Sequence, residues 1–394
     1  MSERTNSSIP FVGLHAHSVA GSLFDALGYP PDHMDFAWEN GCDALALTDH
    51  GNANGLSHQV LHAKKMKEQG KTFKPIFGCE AYFIPSIAEW RDEYEKALED
   101  KKRAKTLGSE LSGATVEDEN SSKKVQDVLR RRRHLILLAQ NQTGLQNIFK
   151  LISESYKSEN FYRYPRMDYA LLAKYSEGVI AASACLGGVY AGNFWENREE
   201  GDEAVLNAMR ETTRKMVSIF GDRWYGELQW NNVPEQHKLN QFIIKMHEEF
   251  GIGLISTADS HYPNPDAWKD RELYKRLGWL GKAAPSYEST ELPIDVDEIG
   301  YELYPKNGDQ MWESYKKYSA ECGVEYDDDL VLQSIKHTHE IAHQRIEDFM
   351  PDNTVRLPDF VVPAGYTATQ ALVNMSIEGL RVKGFHNDKE YTER

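Results

Sequence analysis

The chain carries ALALTDHG at residues 44–51. A short apolar run, Ala44–Thr48, stops abruptly on Asp49-His50-Gly51. A run of that length suits a strand, and its polar end puts a carboxylate and an imidazole at the strand's carboxyl edge. In open and closed α/β folds alike, that edge carries the active site.

The same punctuation recurs on both sides of this stretch. Phe11–Leu14 leads into His15 and His17. Pro75–Phe77 leads to Glu80, Gly178–Ala182 to Cys185, and Gly253–Thr257 to Asp259 and His261. His15 and His17 share one strand face at period two, as do Asp259 and His261 if their strand extends that far. Asp25 follows in the first loop. Leu135–Ala139 and Trp224–Gln229 add two more strand-like runs, and helical stretches such as Pro31–Asn40, Leu56–Glu68 and Asn240–Phe250 fall between. Short strands alternating with longer helices predict an α/β fold with a mostly parallel sheet. Seven such strands fit a closed or distorted barrel.

A single His-x-His is as easily a hydrogen-bonded core pair or a coincidence. Five strand ends that each present His, Asp, Glu or Cys are hard to explain as packing. Imidazole, carboxylate and thiolate together favour zinc, iron or manganese over magnesium or calcium, with Cys185 leaning towards zinc. His134 departs from the pattern because it precedes its apolar run. On the residues alone it reads as a boundary histidine.

The net charge of −16 argues against tight nonspecific duplex binding, although bound cations would invert the field locally. Four cysteines without CxxC spacing suggest a reducing compartment. No run is long enough to span a membrane, and the first residues lack the apolar core of a signal peptide. Residues 86–133 are highly charged and read as an exposed helix followed by a flexible loop over 108–122. This is either a plain surface insertion, or a lid or nucleic-acid contact through Arg130–Arg133. From about residue 276 helices and acidic turns replace the strand rhythm. His337 and His339 lie there on a helix and read as surface or packing histidines, with no carboxylate cluster beside them.

The motifs FVGLHAHS, ALTDHGN, KPIFGCEAYF, RHLILLAQNQTGLQNIFKLIS, FYRYPRMD, GVIAASACLGG, WYGELQWN and ISTADSHYP occur in this order over the first 265 residues. They resemble the PHP (polymerase and histidinol phosphatase) domain of bacterial DNA polymerase III alpha subunits. The resemblance implies a distorted (β/α)7 barrel over 1–275, with the 86–133 region inserted, then a mainly helical connection over 276–394. It also implies up to three divalent ions, zinc, manganese or iron, on nine residues: His15, His17, Asp25, His50, Glu80, His134, Cys185, Asp259 and His261. One ion would take His15, His17, Glu80 and Asp259. A second would share Glu80 and add His134 and Cys185. A third would take Asp25, His50 and His261. Asp25 is the least secure, because the segment before it is one residue longer than the family's.

The implied activity is metal-dependent phosphodiester hydrolysis, a 3′–5′ exonuclease acting in proofreading. His50, Asp259 and His261 would be catalytic. Asp49 would be an orienter or proton shuttle, or else simply an Asx turn before Gly51. Arg133, Arg163 and Arg166 are phosphate-contact candidates or ordinary ion pairs. The expected partners are a DNA 3′ end and the rest of a polymerase, its palm and fingers, in cis or as a separate chain. A sliding clamp or other replisome proteins would follow. The setting would be the cytoplasm of a bacterium or phage-infected host. LPDFVVPAGYTATQAL, IEGLRVKGF and YTER resemble the approach to the palm, so this chain alone is not expected to polymerise DNA. It would be a piece of a larger polymerase or a separate N-terminal subunit. The competing readings are a non-catalytic docking domain and a small-molecule phosphatase.

Overall fold

A computed structural model of the chain describes residues 4–112, 119–279, 301–352, 354, 355, 357 and 359–393. The strands are β1 (Ala44–Leu47), β2 (Lys74–Phe83), β3 (Arg133–Ala139), β4 (Phe161–Tyr162), β5 (Tyr164–Met167), β6 (Val179–Ala182), β7 (Trp224–Gln229) and β8 (Gly253–Thr257). They form one curled mixed sheet in the order β4-β5-β2-β3-β6-β7-β8, with β1 also paired to β2.

Residues 13–17 join the two ends of this sheet. Gly13 bridges Leu45 on one side, and Ala16 bridges Ser260 on the other, both in parallel. Backbone hydrogen bonds from Thr48 N to Ala16 O (2.7 Å) and from His17 N to Ser260 O (2.7 Å) complete the closure. The circuit of segment 13–17, β1, β2, β3, β6, β7 and β8 is the expected distorted seven-membered barrel. Helices cover the outside of the sheet, and β1, β6 and β7 are buried throughout, β7 with two polar residues, Glu227 and Gln229, among them.

The distortion is β3. It runs antiparallel to both β2 and β6, so its first residues lie at the edge where the parallel strands end. The connections begin with local signals. Helix Pro30–Glu39 has proline in its first turn and Asp32 accepting from Tyr29 N at 2.7 Å. Helix Gln142–Ser155 is capped by Asn141, which accepts from Gly144 N at 3.0 Å.

The charged insertion is more ordered than its composition suggests. Helices Ile87–Ser112 and Glu119–Arg130 take up most of the expected loop, whose remaining part, 113–118, lies outside the described residues. The two helices pack through Ile87, Trp90, Ala97, Val125, Val128 and Leu129. Trp90 Nε1 donates to Val128 O at 2.8 Å. Apolar residues spaced along helix 119–130 explain this pairing, which the charge density hides.

Residues 301–351 belong to the same compact unit as the barrel. Helix Asp328–Glu340 and the π-helical turn Ile341–Arg345 cross the strands' starting edge. There His337 Nδ1 meets Leu254 O at 2.9 Å, and Lys74 Nζ donates to Ala342 O and Ile346 O at 2.7 and 2.6 Å. A second unit, 352–394, contains helix Ala368–Val382, opened by a capping box between Thr367 and Gln370. Among the described residues, no helix is long and apolar enough to cross a membrane.

Candidate metal centre

The strand-end residues converge. Glu80, in the carboxyl half of β2, is fully buried and lies at the middle of the group. Its Oε1 is 3.3 Å from His15 Nε2 and 3.1 Å from His134 Nδ1. Its Oε2 is 3.6 Å from His17 Nε2 and 2.5 Å from His50 Nδ1. Asp259 Oδ1 lies 3.0 Å from His15 Nε2, 3.2 Å from His17 Nε2 and 3.3 Å from His261 Nδ1. Asp25 Oδ2 lies 3.0 Å from His50 Nε2 and 3.5 Å from His261 Nε2, so the longer first loop still delivers this carboxylate. Cys185 Sγ is 3.8 Å from His134 Nδ1. All nine expected ligands lie in one constellation.

The antiparallel direction of β3 accounts for His134. It pairs with Tyr82 near the end of β2, so a histidine at the start of β3 reaches the same edge as residues that end parallel strands. Gly187 leaves room for its ring: a Cβ there would lie 3.2 Å from His134 Nδ1.

The chemistry of the donor set fits divalent cations. Both Glu80 oxygens, Asp259 Oδ1 and His50 Nδ1 are buried with no well-aligned hydrogen bond, only close contacts among themselves and the neighbouring imidazoles. Acceptors so placed are costly unless a cation lies among them. Backbone strain is concentrated here too. Phe24, Ala184 and Asp259 have positive φ of 62°, 61° and 48°; two of them immediately precede Asp25 and Cys185, and the third is itself in the set. Non-glycine residues accept such angles where the surroundings force them, commonly at functional sites.

The cluster's own field is strong. Burial pushes the Asp25 carboxyl up, but His261 and Arg271 outweigh it and hold it well below the usual range. Burial acts likewise on Glu80, where His134 and His50 prevail and the carboxyl stays ionised. Burial, then the charges of His50 and His261, depress the His17 imidazole, keeping it neutral as a ligand must be. Burial, with Asp259 and Glu80 beside it, raises the Cys185 thiol. A bound cation is what would favour its thiolate.

Several roles emerge that the sequence did not announce. Glu227, inside β7, is buried and sets its Oε1 2.7 Å from His15 Nδ1. That contact fixes the tautomer which presents Nε2 to the centre. A glutamate in the middle of an apolar strand, WYGELQ, was the available signal. Arg271 donates from Nε to Asp25 O and from its terminal nitrogen to Asp25 Oδ1, both at 2.7 Å. Nothing in its helical, charged surroundings marked it.

Asp49 holds the first loop in place. Its Oδ1 accepts from Ser18 N (2.6 Å) and the Ser22 hydroxyl (2.9 Å), and its Oδ2 accepts from the Ser18 hydroxyl (2.9 Å). Ser22 Oγ in turn lies 3.2 Å from His17 Nδ1. Asp49 thus sits at the end of a hydrogen-bonded chain through Ser22 to His17, an arrangement that suits an orienter and is equally open to a proton relay. The Asx turn does not form, since Gly51 N donates to Glu80 O.

Arg166 corrects an expectation. It is fully buried, and its guanidinium donates to the carbonyls of Leu129, Arg131, Tyr162 and Tyr164 while lying over the Trp90 ring. It pins the insertion to the barrel and is out of reach of a phosphate. Arg133 is held in an ion pair with Glu196. Arg163 sits beside the Tyr162 ring at a positive φ of 60°.

The PHP domain model matches residues 13–231. DNA polymerase III subunit alpha of Aquifex aeolicus is 32% identical over 391 residues, which are 98% of this chain and 29% of that protein. The Thermus aquaticus subunit of the same name is 32% identical, covering 95% of this chain and 26% of its own length. The chain thus spans under a third of these relatives. Among solved structures, an amidohydrolase from Chromobacterium violaceum aligns with a TM-score of 0.33 and 15% identity, over 67% of this chain and 96% of that one. The matched stretch runs from the segment bearing His15 through β7 and takes in more than half of the sequence, and the chain belongs to the PHP domain family.

Proposed function

We propose that this chain hydrolyses phosphodiesters at DNA 3′ ends, using divalent ions held by the strand-edge cluster, and so serves as a 3′–5′ proofreading exonuclease. The observation that carries this reading is Glu80: one buried carboxylate meets four imidazoles, those of His15, His17, His50 and His134, with no well-aligned hydrogen bond to either oxygen. Divalent ions bound there would supply Lewis acidity towards phosphate oxygens and a water acidic enough to attack near neutral pH.

The chain's own residues arrange the rest. His15, His17 and Glu80 form a closed floor with no side-chain exposure, while Asp25 (37%) and His134 (19%) form an open rim. A phosphodiester would enter from that rim. Arg132 sets its guanidinium 3.9 Å from the Tyr164 ring centroid and 5.4 Å from that of Tyr82, whose ring stacks against His50. This places positive charge and aromatic surface together beside the rim, the pairing that binds single-stranded nucleic acid. DNA as substrate is further supported by the names of the relatives. The remainder of such a polymerase, with clamp or replisome proteins, would then be the natural partner.

The test uses metal-stripped protein reloaded with manganese or zinc, and 5′-labelled single-stranded and mismatched primers. Stepwise shortening from the 3′ end is expected. It should be abolished by chelator and by Asp259→Asn or His50→Ala. Absence of hydrolysis in protein whose bound ions have been counted would sink the reading in favour of a docking role. Hydrolysis of phosphate monoesters alone would assign a small-molecule phosphatase.

A further inference from the structure

We propose that Asp43, His339 and His343 form a second cation site, for a divalent transition ion of the zinc class, at the barrel edge opposite the Glu80 cluster. Asp43 immediately precedes β1. His339 lies in the last turn of helix Asp328–Glu340, and His343 lies four residues on, within the π-helical turn Ile341–Arg345. The chain folds these sequence-distant groups together where the helices cross the starting edge of the strands.

Both imidazoles turn Nε2 towards the same carboxylate. His343 Nε2 is 3.1 Å from Asp43 Oδ1, and His339 Nε2 is 3.9 Å from Asp43 Oδ2. The two rings lie 4.3 Å apart, centroid to centroid. One ligand atom from each of the three residues falls within 4.8 Å of the others. Tetrahedral zinc bonds of about 2 Å set ligand atoms roughly 3.3 Å apart, so small side-chain rotations suffice to seat an ion. Two imidazoles and one carboxylate suit zinc, copper or nickel far better than magnesium or calcium.

The surroundings are compatible. Lys74, the nearby cation, donates to the carbonyls of Ala342 and Ile346, which leaves the Asp43 carboxylate to the two histidines. The two imidazoles are about a third exposed and Asp43 is 42% exposed, which leaves a coordination position open to water. A π-helical turn is rare, and this one closes the carboxyl end of helix Asp328–Glu340. Here it sets where the second imidazole falls. An ion on these residues would clip the helices of the 301–351 region to the first barrel strand. It would stabilise the folded chain, because the three ligands come together only on folding.

The experiment titrates the metal-stripped full chain with zinc and counts ions per molecule, for wild type, His343→Gln, His339→Ala and Asp43→Asn. His343→Gln is the decisive variant, because glutamine can still hydrogen-bond Asp43 yet is a poor zinc ligand. Each variant is expected to bind one ion fewer than wild type and to lose part of the zinc-dependent rise in Tm. A full complement of ions in His343→Gln overturns the proposal and leaves an ordinary His–Asp hydrogen bond. The count reads this site independently of any hydrolytic activity at the Glu80 cluster.

Discussion

Glu227 Oε1 and His15 Nδ1 lie 2.7 Å apart with neither side chain exposed. Gln229 also donates to that oxygen at 2.9 Å, and the Ser183 hydroxyl accepts from Glu227 N at 2.9 Å. This carboxylate holds His15 in one orientation and makes its Nε2 a better electron donor. Glu227→Gln keeps the shape and removes the charge. It is expected to weaken metal binding by about 10–100-fold, the usual cost of losing such a partner. Competition with a chromophoric chelator measures this. Unchanged affinity would assign Glu227 to packing alone.

Arg271 grips both the backbone and the side chain of Asp25. A lysine keeps the charge but cannot make both contacts from one planar group. Arg271→Lys should therefore lower occupancy at the Asp25, His50 and His261 end of the cluster. Hydrolysis is expected to fall by roughly tenfold, the low end for a lost ligand-orienting contact. Ion counts and kcat together report it, and a wild-type kcat with full occupancy would refute it.

Arg166→Met should act on stability and leave substrate alone. The substitution strands the carbonyls of Leu129, Arg131, Tyr162 and Tyr164 in a buried setting. Leaving such groups unpaired costs at least ~3 kcal/mol. Urea unfolding should show that loss, with DNA affinity of the folded protein unaltered. A drop in DNA affinity at constant stability would restore Arg166 as a phosphate contact.

Acid sensitivity should be traceable to Glu302. Burial raises its carboxyl, but Lys306 at 3.0 Å and the Tyr318 hydroxyl at 2.7 Å outweigh this and bring it down from 4.5 to about 2. A depressed carboxyl stabilises the fold above its unfolded pKa, and that stability is lost as pH falls through the window from 4.5 towards 2. Glu302→Gln should flatten this part of the acid limb and lower stability at neutral pH, where buried Lys306 loses its counter-charge. Urea midpoints measured against pH in both proteins check the sign. Parallel acid limbs would exclude Glu302 as a source.

The alternation of strand and helix, and the polar residue at each strand end, were legible because both follow from local periodicity. The placement of candidate ligands at the ends of β1, β2, β6 and β8 came with it. What stayed hidden has two physical sources. The first is strand direction: His134 looks misplaced until β3 is known to run antiparallel, and pairing direction is a long-range property. The second is partnership between distant segments. The carboxylate beside His339 and His343 is Asp43, and the charged insertion closes on a small apolar core of its own. Arg166 misled for a related reason. A guanidinium in an exposed-looking motif can be buried when enough backbone carbonyls converge on it.

The segment that closes the barrel also carries His15 and His17, and its far neighbour is Ser260. During synthesis, the first strand edge must therefore wait for nearly the last one. Until Asp259 and His261 emerge from the ribosome, the ring is open and the floor of the cluster lacks a wall. Assembly of the cluster is thus a late event in the birth of this domain, and a nascent chain halted before residue 260 lacks the bridge that closes the ring.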